Sequence, residues 1–202
     1  MTADVSTIRI LGGLGGILAA LSFIHWVVGL VGVILLLVAF YMSSEYYQEG
    51  MIFSNAIKYL VFSIVAIAVI FGTMMYTALR VFKWTLWTPM MWNRSEIIKE
   101  ISRIPQQEFY GILSILIVGL IVGVALLIVS AVFLKRASDL MARVSGVNLF
   151  STAGLLYLIG AVLVIIVGVG IILILISYLL LGISFLMIKE KPQEYTGMTV
   201  KY

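Results

Sequence analysis

VSGVNLFSTAGLLYLIGAVLVIIVGVGIILILISYLLLGISFLMI, Val144–Ile188, is a run of 45 residues without one Asp, Glu, Lys or Arg. A helix rises about 1.5 Å per residue and the hydrocarbon layer of a bilayer is about 30 Å thick, so a single helix of this length would measure about 68 Å. Tilt cannot absorb a factor of two. The run reads as two short spanning helices joined by a tight turn at Gly168-Val169-Gly170, because closely spaced glycines tolerate a sharp reversal. Such a turn would reach the membrane surface without needing a charge.

The N-terminal half repeats the pattern. Residues 10–44 are equally free of charge over 35 residues, about 52 Å as one helix, which again exceeds a single crossing. A break is expected near the middle, where His25-Trp26 precede Gly29 and Gly32 and an amphipathic Trp favours the interface. Two further uncharged runs, 59–79 and 109–134, are long enough to cross once each. The expectation is therefore an all-α integral membrane protein in a single transmembrane domain. Its helical bundle has about six spans, two short hairpins flanking two long helices, at about 9–24, 28–47, 52–82, 108–136, 151–167 and 170–188. The alternative is four long bent helices. The N-terminal run is much longer than the apolar core of a cleaved leader and reads as a retained first helix.

Composition agrees with this reading. Of the 202 residues 63% are hydrophobic and 11% charged, with a mean hydropathy of +1.19, against about 25% charged in soluble domains. The absence of cysteine removes disulfides, thiolate metal sites, iron–sulfur clusters and thiol nucleophiles. The single histidine, His25, excludes a bis-histidine haem within one copy and any Ser-His-Asp triad that does not use it. The net charge of +4 is scattered over membrane-flanking segments and forms no nucleic-acid patch. With six spans, Arg9, Lys58, Lys135, Arg136, Arg143, Lys189, Lys191 and Lys201 share one side, and Arg80, Lys83, Arg94, Lys99 and Arg103 the other. Eight against five places both termini in the cytoplasm by the positive-inside rule.

Between the long spans, Asn93 can cap an amphipathic helix over 93–104, closed by Pro105, and Trp84, Trp87 and Trp92 place it along the outer interface. The residues from 189 to 202 read as a polar cytoplasmic tail. Shifting the chain by 138 positions pairs Gly16 with Gly154, Val31 with Val169, Gly32 with Gly170 and Ile34 with Ile172, which raises an internal duplication of the two hairpins.

Several stretches together resemble a known family: LGGLGGILAAL leading to VGLVGVILLLVAFYMSSEYY, and above all SGVNLFSTAGLLYLIG, Ser145–Gly160, within the long C-terminal run. Over residues 8–189 the chain resembles the uncharacterised prokaryotic membrane family known as domain of unknown function 996, which has many archaeal members. The resemblance implies an archaeal cell-membrane protein and brings no activity, ligand or catalytic residue. Proline often occupies the family's counterpart of Phe23 to Val28. This chain has none there.

Gly12 and Gly16, continued by Ala20, form a small-xxx-small face, and Gly119 with Gly123 forms a second. Such faces let helix backbones approach closely, either within one subunit or between subunits. Gly182 lacks a glycine four residues away and is expected to matter less. His25 reads as an interfacial anchor beside Trp26, with a pH-sensitive contact and a cofactor or metal role as alternatives. Glu45 and Glu49 read as one solvated face of an extended second helix, and Asp139 as the partner of Lys135, Arg136 or Arg143 on an extension of the fourth span ending near Gly146. The hydroxyls of Ser63, Thr73, Thr77, Ser114, Ser130 and Ser177 are expected mostly to bond their own helices. No catalytic, metal or cofactor constellation can be named, so no cofactor is expected. The chain reads as a non-enzymatic structural or accessory subunit that contacts membrane lipid and associates with itself or with other membrane proteins. A channel or small-solute transporter is the alternative.

Overall fold

The computed structural model describes residues 4–82, 106–164, 166 and 169–189. These form six α-helices: α1 Val5–Ala20, α2 Trp26–Tyr47, α3 Gly50–Phe82, α4 Gln106–Ser145, α5 Leu149–Leu163 and α6 Val169–Leu186. No strand occurs among the described residues. Hairpin α1–α2 and the separate helices α5 and α6 stand where the two long uncharged runs require a break, so the four-helix alternative is excluded. Five of the helices are long and apolar enough to cross a membrane, and α5 is a shorter apolar helix. The expected interfacial helix at 93–104 and the tail beyond Lys189 lie outside the described residues.

Local chemistry sets the helix ends. The Asp4 carboxylate accepts from the Ser6 backbone N–H at 3.2 Å and caps α1, and hydrogen bonds from the Ser6 hydroxyl and backbone hold its carboxyl below the usual range. A single 3-10 turn, Leu21–Phe23, ends α1, and extended His25 then starts α2. Helix α2 stops at Gln48, whose left-handed φ of 55° turns the chain into α3. Glu45 and Glu49 therefore do not share a helix face. Glu45 accepts from the Tyr41 hydroxyl at 2.6 Å, while Glu49 accepts from the Met51 N–H at 3.3 Å and caps α3. Helix α4 runs on past Arg136 to Ser145, where Gly146 at φ 72° closes it through its N–H to the Ala142 carbonyl.

Each helix packs on the next in chain order, and α6 returns to α1. The ring is thus closed, and the two short pairs lean on one another as well as on the long pair. The Arg9 guanidinium donates to the Leu186 carbonyl at 3.1 Å, so the start of α1 lies beside the end of α6 and a cation meets the negative end of that helix. In the core, Phe185 is fully buried with its ring 5.3 Å from Phe40 and 4.9 Å from Phe150, both edge-on.

The long pair outruns the rest. Tyr59 of α3 meets Tyr178 of α6, and both line a small cavity with Leu36 of α2. From that level α3 continues about 35 Å to Phe82, whereas α6 has about 14 Å back to Val169 and α2 about 15 Å back to Trp26. About 20 Å of α3, paired with α4, therefore stands clear of the other four helices. Burial follows this geometry: from Ile67 to Arg80 no residue of α3 is buried, and Ile67, Phe71 and Met75 are 60%, 69% and 58% exposed. Within the overhang Gly119 meets the Thr73 side chain and Gly123 meets Ile70, so α3 and α4 pack on each other there.

Candidate functional site

Among the described residues two polar clusters stand out, one inside the bundle and one at its end. The first is a set of tyrosines and serines where α3, α4, α5 and α6 converge. Buried Tyr59 and Tyr178 join their hydroxyls in a hydrogen bond, and Tyr157 packs edge-on to both, at ring distances of 5.6 and 5.5 Å. The Ser130 hydroxyl donates to the Tyr59 carbonyl at 3.0 Å, which leaves its oxygen to accept from Ser63 at 2.6 Å. Nearby, Ser177 donates to the Ala153 carbonyl at 2.7 Å, tying α6 to α5. Thr73, Thr77 and Ser114 do bond carbonyls of their own helices, but Ser63, Ser130 and Ser177 bond across helices, against the expectation. Where no water competes, such bonds hold helices at fixed rotation and height.

The sequence singles out the serines of this cluster but not its tyrosines. Their signal was positional: tyrosine favours the membrane interface, yet Tyr157 and Tyr178 stand far from the charged ends of their run. Losing either hydroxyl of the Tyr59–Tyr178 pair is expected to cost about 0.5–1.5 kcal/mol. Reversible unfolding of Tyr59→Phe, Tyr178→Phe and the double variant checks this. The double variant should lose little more than either single one, and strictly additive losses would show that the hydroxyls do not act together.

The second cluster is an open cleft at the end of the bundle that holds Arg9 and Leu186, between the last turns of α4 and the start of α5. It is lined by Lys135, Asp139, Arg143, Asn148 and Ser151. Asp139 pairs with Lys135 at 2.6 Å through one carboxylate oxygen and accepts from the Ser151 hydroxyl at 2.7 Å through the other. Ser138, the residue before Asp139 and fully buried beside Gly154, has no hydrogen-bond partner among the described residues.

The residues singled out in the sequence fall in several places. Gly12 lies under the Phe185 ring, and Gly16 faces the backbone of Gly182 and the Tyr178 carbonyl, so this face joins α1 to α6 within one chain. Gly119 and Gly123 join α4 to α3. Gly182 is no bystander, since a Cβ there would meet the Gly13 carbonyl at 2.9 Å. Gly29 was expected in a hairpin turn and instead lies inside α2, where it is buried against Ser22; the reversal is made by Leu21–His25. Gly170 likewise belongs to the first turn of α6, where a Cβ would meet the Gly160 carbonyl at 2.6 Å. Both glycines serve close approach of a helix to its hairpin partner and not backbone reversal. Gly168 lies outside the described residues. Gly32 and Gly170, paired by the 138-residue shift, both face the preceding helix of their own hairpin.

His25 is exposed at the head of α2. Its Nδ1 accepts from the Val27 N–H at 3.3 Å, and its ring stacks beside Trp26. Among the described residues no three His, Asp or Glu side chains are placed to hold a metal ion.

This all-helical, glycine-sutured bundle can be compared with known proteins. The sequence pattern of the family described as "Protein of unknown function (DUF996)" matches residues 28–179. The chain belongs to this family. The matched region of DUF996 begins inside α2 and ends inside α6, so it takes in both long helices and the whole tyrosine–serine cluster. No curated protein and no solved structure matches the chain.

Proposed function

We propose that the chain is a non-catalytic, multi-pass structural subunit that assembles with copies of itself in the cell membrane, with both termini on the cytoplasmic side. The observation that carries this reading is the overhang of α3 and α4. Above exposed Lys58, which adjoins Tyr59, the uncharged run 59–79 of α3 measures about 31 Å and matches a hydrocarbon layer of about 30 Å, whereas α2 and α6 reach only about 15 Å above that level. A bilayer set on that run is crossed in full, among the described helices, by α3 and α4 alone, and one lowered by about 12 Å to hold the six-helix end would draw the Lys58 and Arg136 cations into hydrocarbon. Mismatch costs a fraction of a kcal/mol per Å, so a shortfall of about 15 Å amounts to several kcal/mol. A second copy laid along the overhang gives α3 and α4 apolar neighbours where none of the other described helices reaches. The orientation rests on Arg9, Lys58, Lys135, Arg136, Arg143 and Lys189, which gather toward the end where the start of α1 meets the end of α6.

The test is mild extraction of the full chain followed by mass determination of the intact particle. A multiple of the 22.3 kDa chain mass is expected. A monomer, or one chain held by a foreign membrane protein, overturns self-assembly. Ion conductance or proton-driven uptake in sealed vesicles overturns the structural role in favour of a channel or small-solute transporter.

A further inference from the structure

Lys58 of α3 and Arg136 of α4 converge on one aromatic ring. The Lys58 ammonium lies 5.7 Å from the centre of Phe133 and the Arg136 guanidinium 5.9 Å from it, while Phe62 stacks on Phe133 at 5.5 Å and 19°. Both cations are exposed, and neither has a carboxylate partner among the described residues. Lys135, the neighbour of Arg136, is already committed to Asp139.

The height of the pair matters as much as its charge. Lys58 stands immediately below the uncharged run 59–79, which as a helix measures about 31 Å, the thickness of the hydrocarbon layer. Arg136 stands just below the uncharged run 109–134 of the neighbouring helix. The same boundary is thus marked from both helices, at headgroup depth. Above it, one turn along from Phe62 and Phe133, exposed Val65 and Val129 continue the same seam with apolar side chains.

We propose that Lys58 and Arg136, steadied by the Phe133 ring, bind the phosphodiester of an anionic phospholipid whose acyl chain lies along the α3–α4 seam. The aromatic platform limits the freedom that a long cationic side chain otherwise loses on binding, and two cations at one boundary select net negative headgroups over zwitterionic ones. The site lies wholly within one copy, so it stands whether or not the chain self-associates.

Native mass spectrometry of the full chain with phosphatidylglycerol or phosphatidylcholine tests the proposal. The unaltered chain should retain phosphatidylglycerol preferentially, and Lys58→Gln and Arg136→Gln should each reduce that preference about fivefold, with the double change reducing it about 25-fold. Lys189→Gln, which removes an exposed cation beyond the end of α6, should leave the preference within about twofold. Equal retention of the two lipids, an unchanged preference in the double variant, or displacement of the lipid by inorganic phosphate alone overturns it. Should the double variant fail to fold, the two single variants decide the question, and Lys58→Arg should restore what Lys58→Gln loses.

Discussion

Gly16→Leu is expected to prevent α1 from docking on α6, lowering stability by about 3 kcal/mol or more, equivalent to about 10 °C in Tm for a chain of this size. A Cβ at this position meets the Gly182 backbone and lies 2.6 Å from the Tyr178 carbonyl. Backbone cannot step aside as a side chain can, so the two helices must separate along their shared face. Separation would in turn loosen Phe185 from Gly12 and the Arg9 guanidinium from the end of α6. Gly182→Leu should behave like Gly16→Leu, since the two residues are opposite sides of one contact. Gly119→Leu should cost less, about 1 kcal/mol, because its nearest neighbours are Thr73 side-chain atoms on an overhang where two helices can splay. Thermal unfolding of the three variants in one detergent gives the comparison. If Gly16→Leu and Gly119→Leu melt together, the backbone contact does not hold the ring closed.

The second large effect is expected at Phe185. Its ring is fully buried between Phe40 of α2 and Phe150 of α5 and covers Gly12 of α1, so one side chain on α6 joins three other helices. Phe185→Ala should cost about 3–5 kcal/mol, as large-to-small changes at filled core sites do. The loss here comes from dispersion and aromatic contacts and from the cavity left behind. Phe185→Leu should fall between, at about 1–2 kcal/mol, because most of the volume is kept. Equilibrium unfolding measures both, and a loss below about 1 kcal/mol for Phe185→Ala would mean that the site collapses around the gap.

The helix inventory was legible because its signals are local. Runs without charge mark what can enter hydrocarbon, since each buried charge there is expensive, and their lengths against bilayer thickness require breaks in the first and last runs. The places of those breaks were found to within a few residues, but their chemistry was misjudged. Glycines near a turn were read as the turn, whereas Gly29 and Gly170 lie in helices and the first reversal uses a 3-10 turn and a histidine cap. Within an apolar alphabet a glycine that permits a turn and one that admits a neighbouring helix look alike. Only the neighbour distinguishes them.

What this sequence determined by itself is which stretches can form apolar helices and where the two longest must break, because hydration cost and helix geometry act residue by residue. What only the tertiary structure decided is the height of one helix against another. That height set Gly16 against Gly182, gathered Tyr59, Tyr157 and Tyr178 from three helices, brought Lys58 and Arg136 to one ring, and left α3 and α4 standing about 20 Å clear of the rest. Sliding one apolar helix along another by a turn changes no composition and buries nearly the same area. The register is chosen by interlocking contacts and cross-helix hydrogen bonds between residues more than a hundred positions apart, and no local pattern records it.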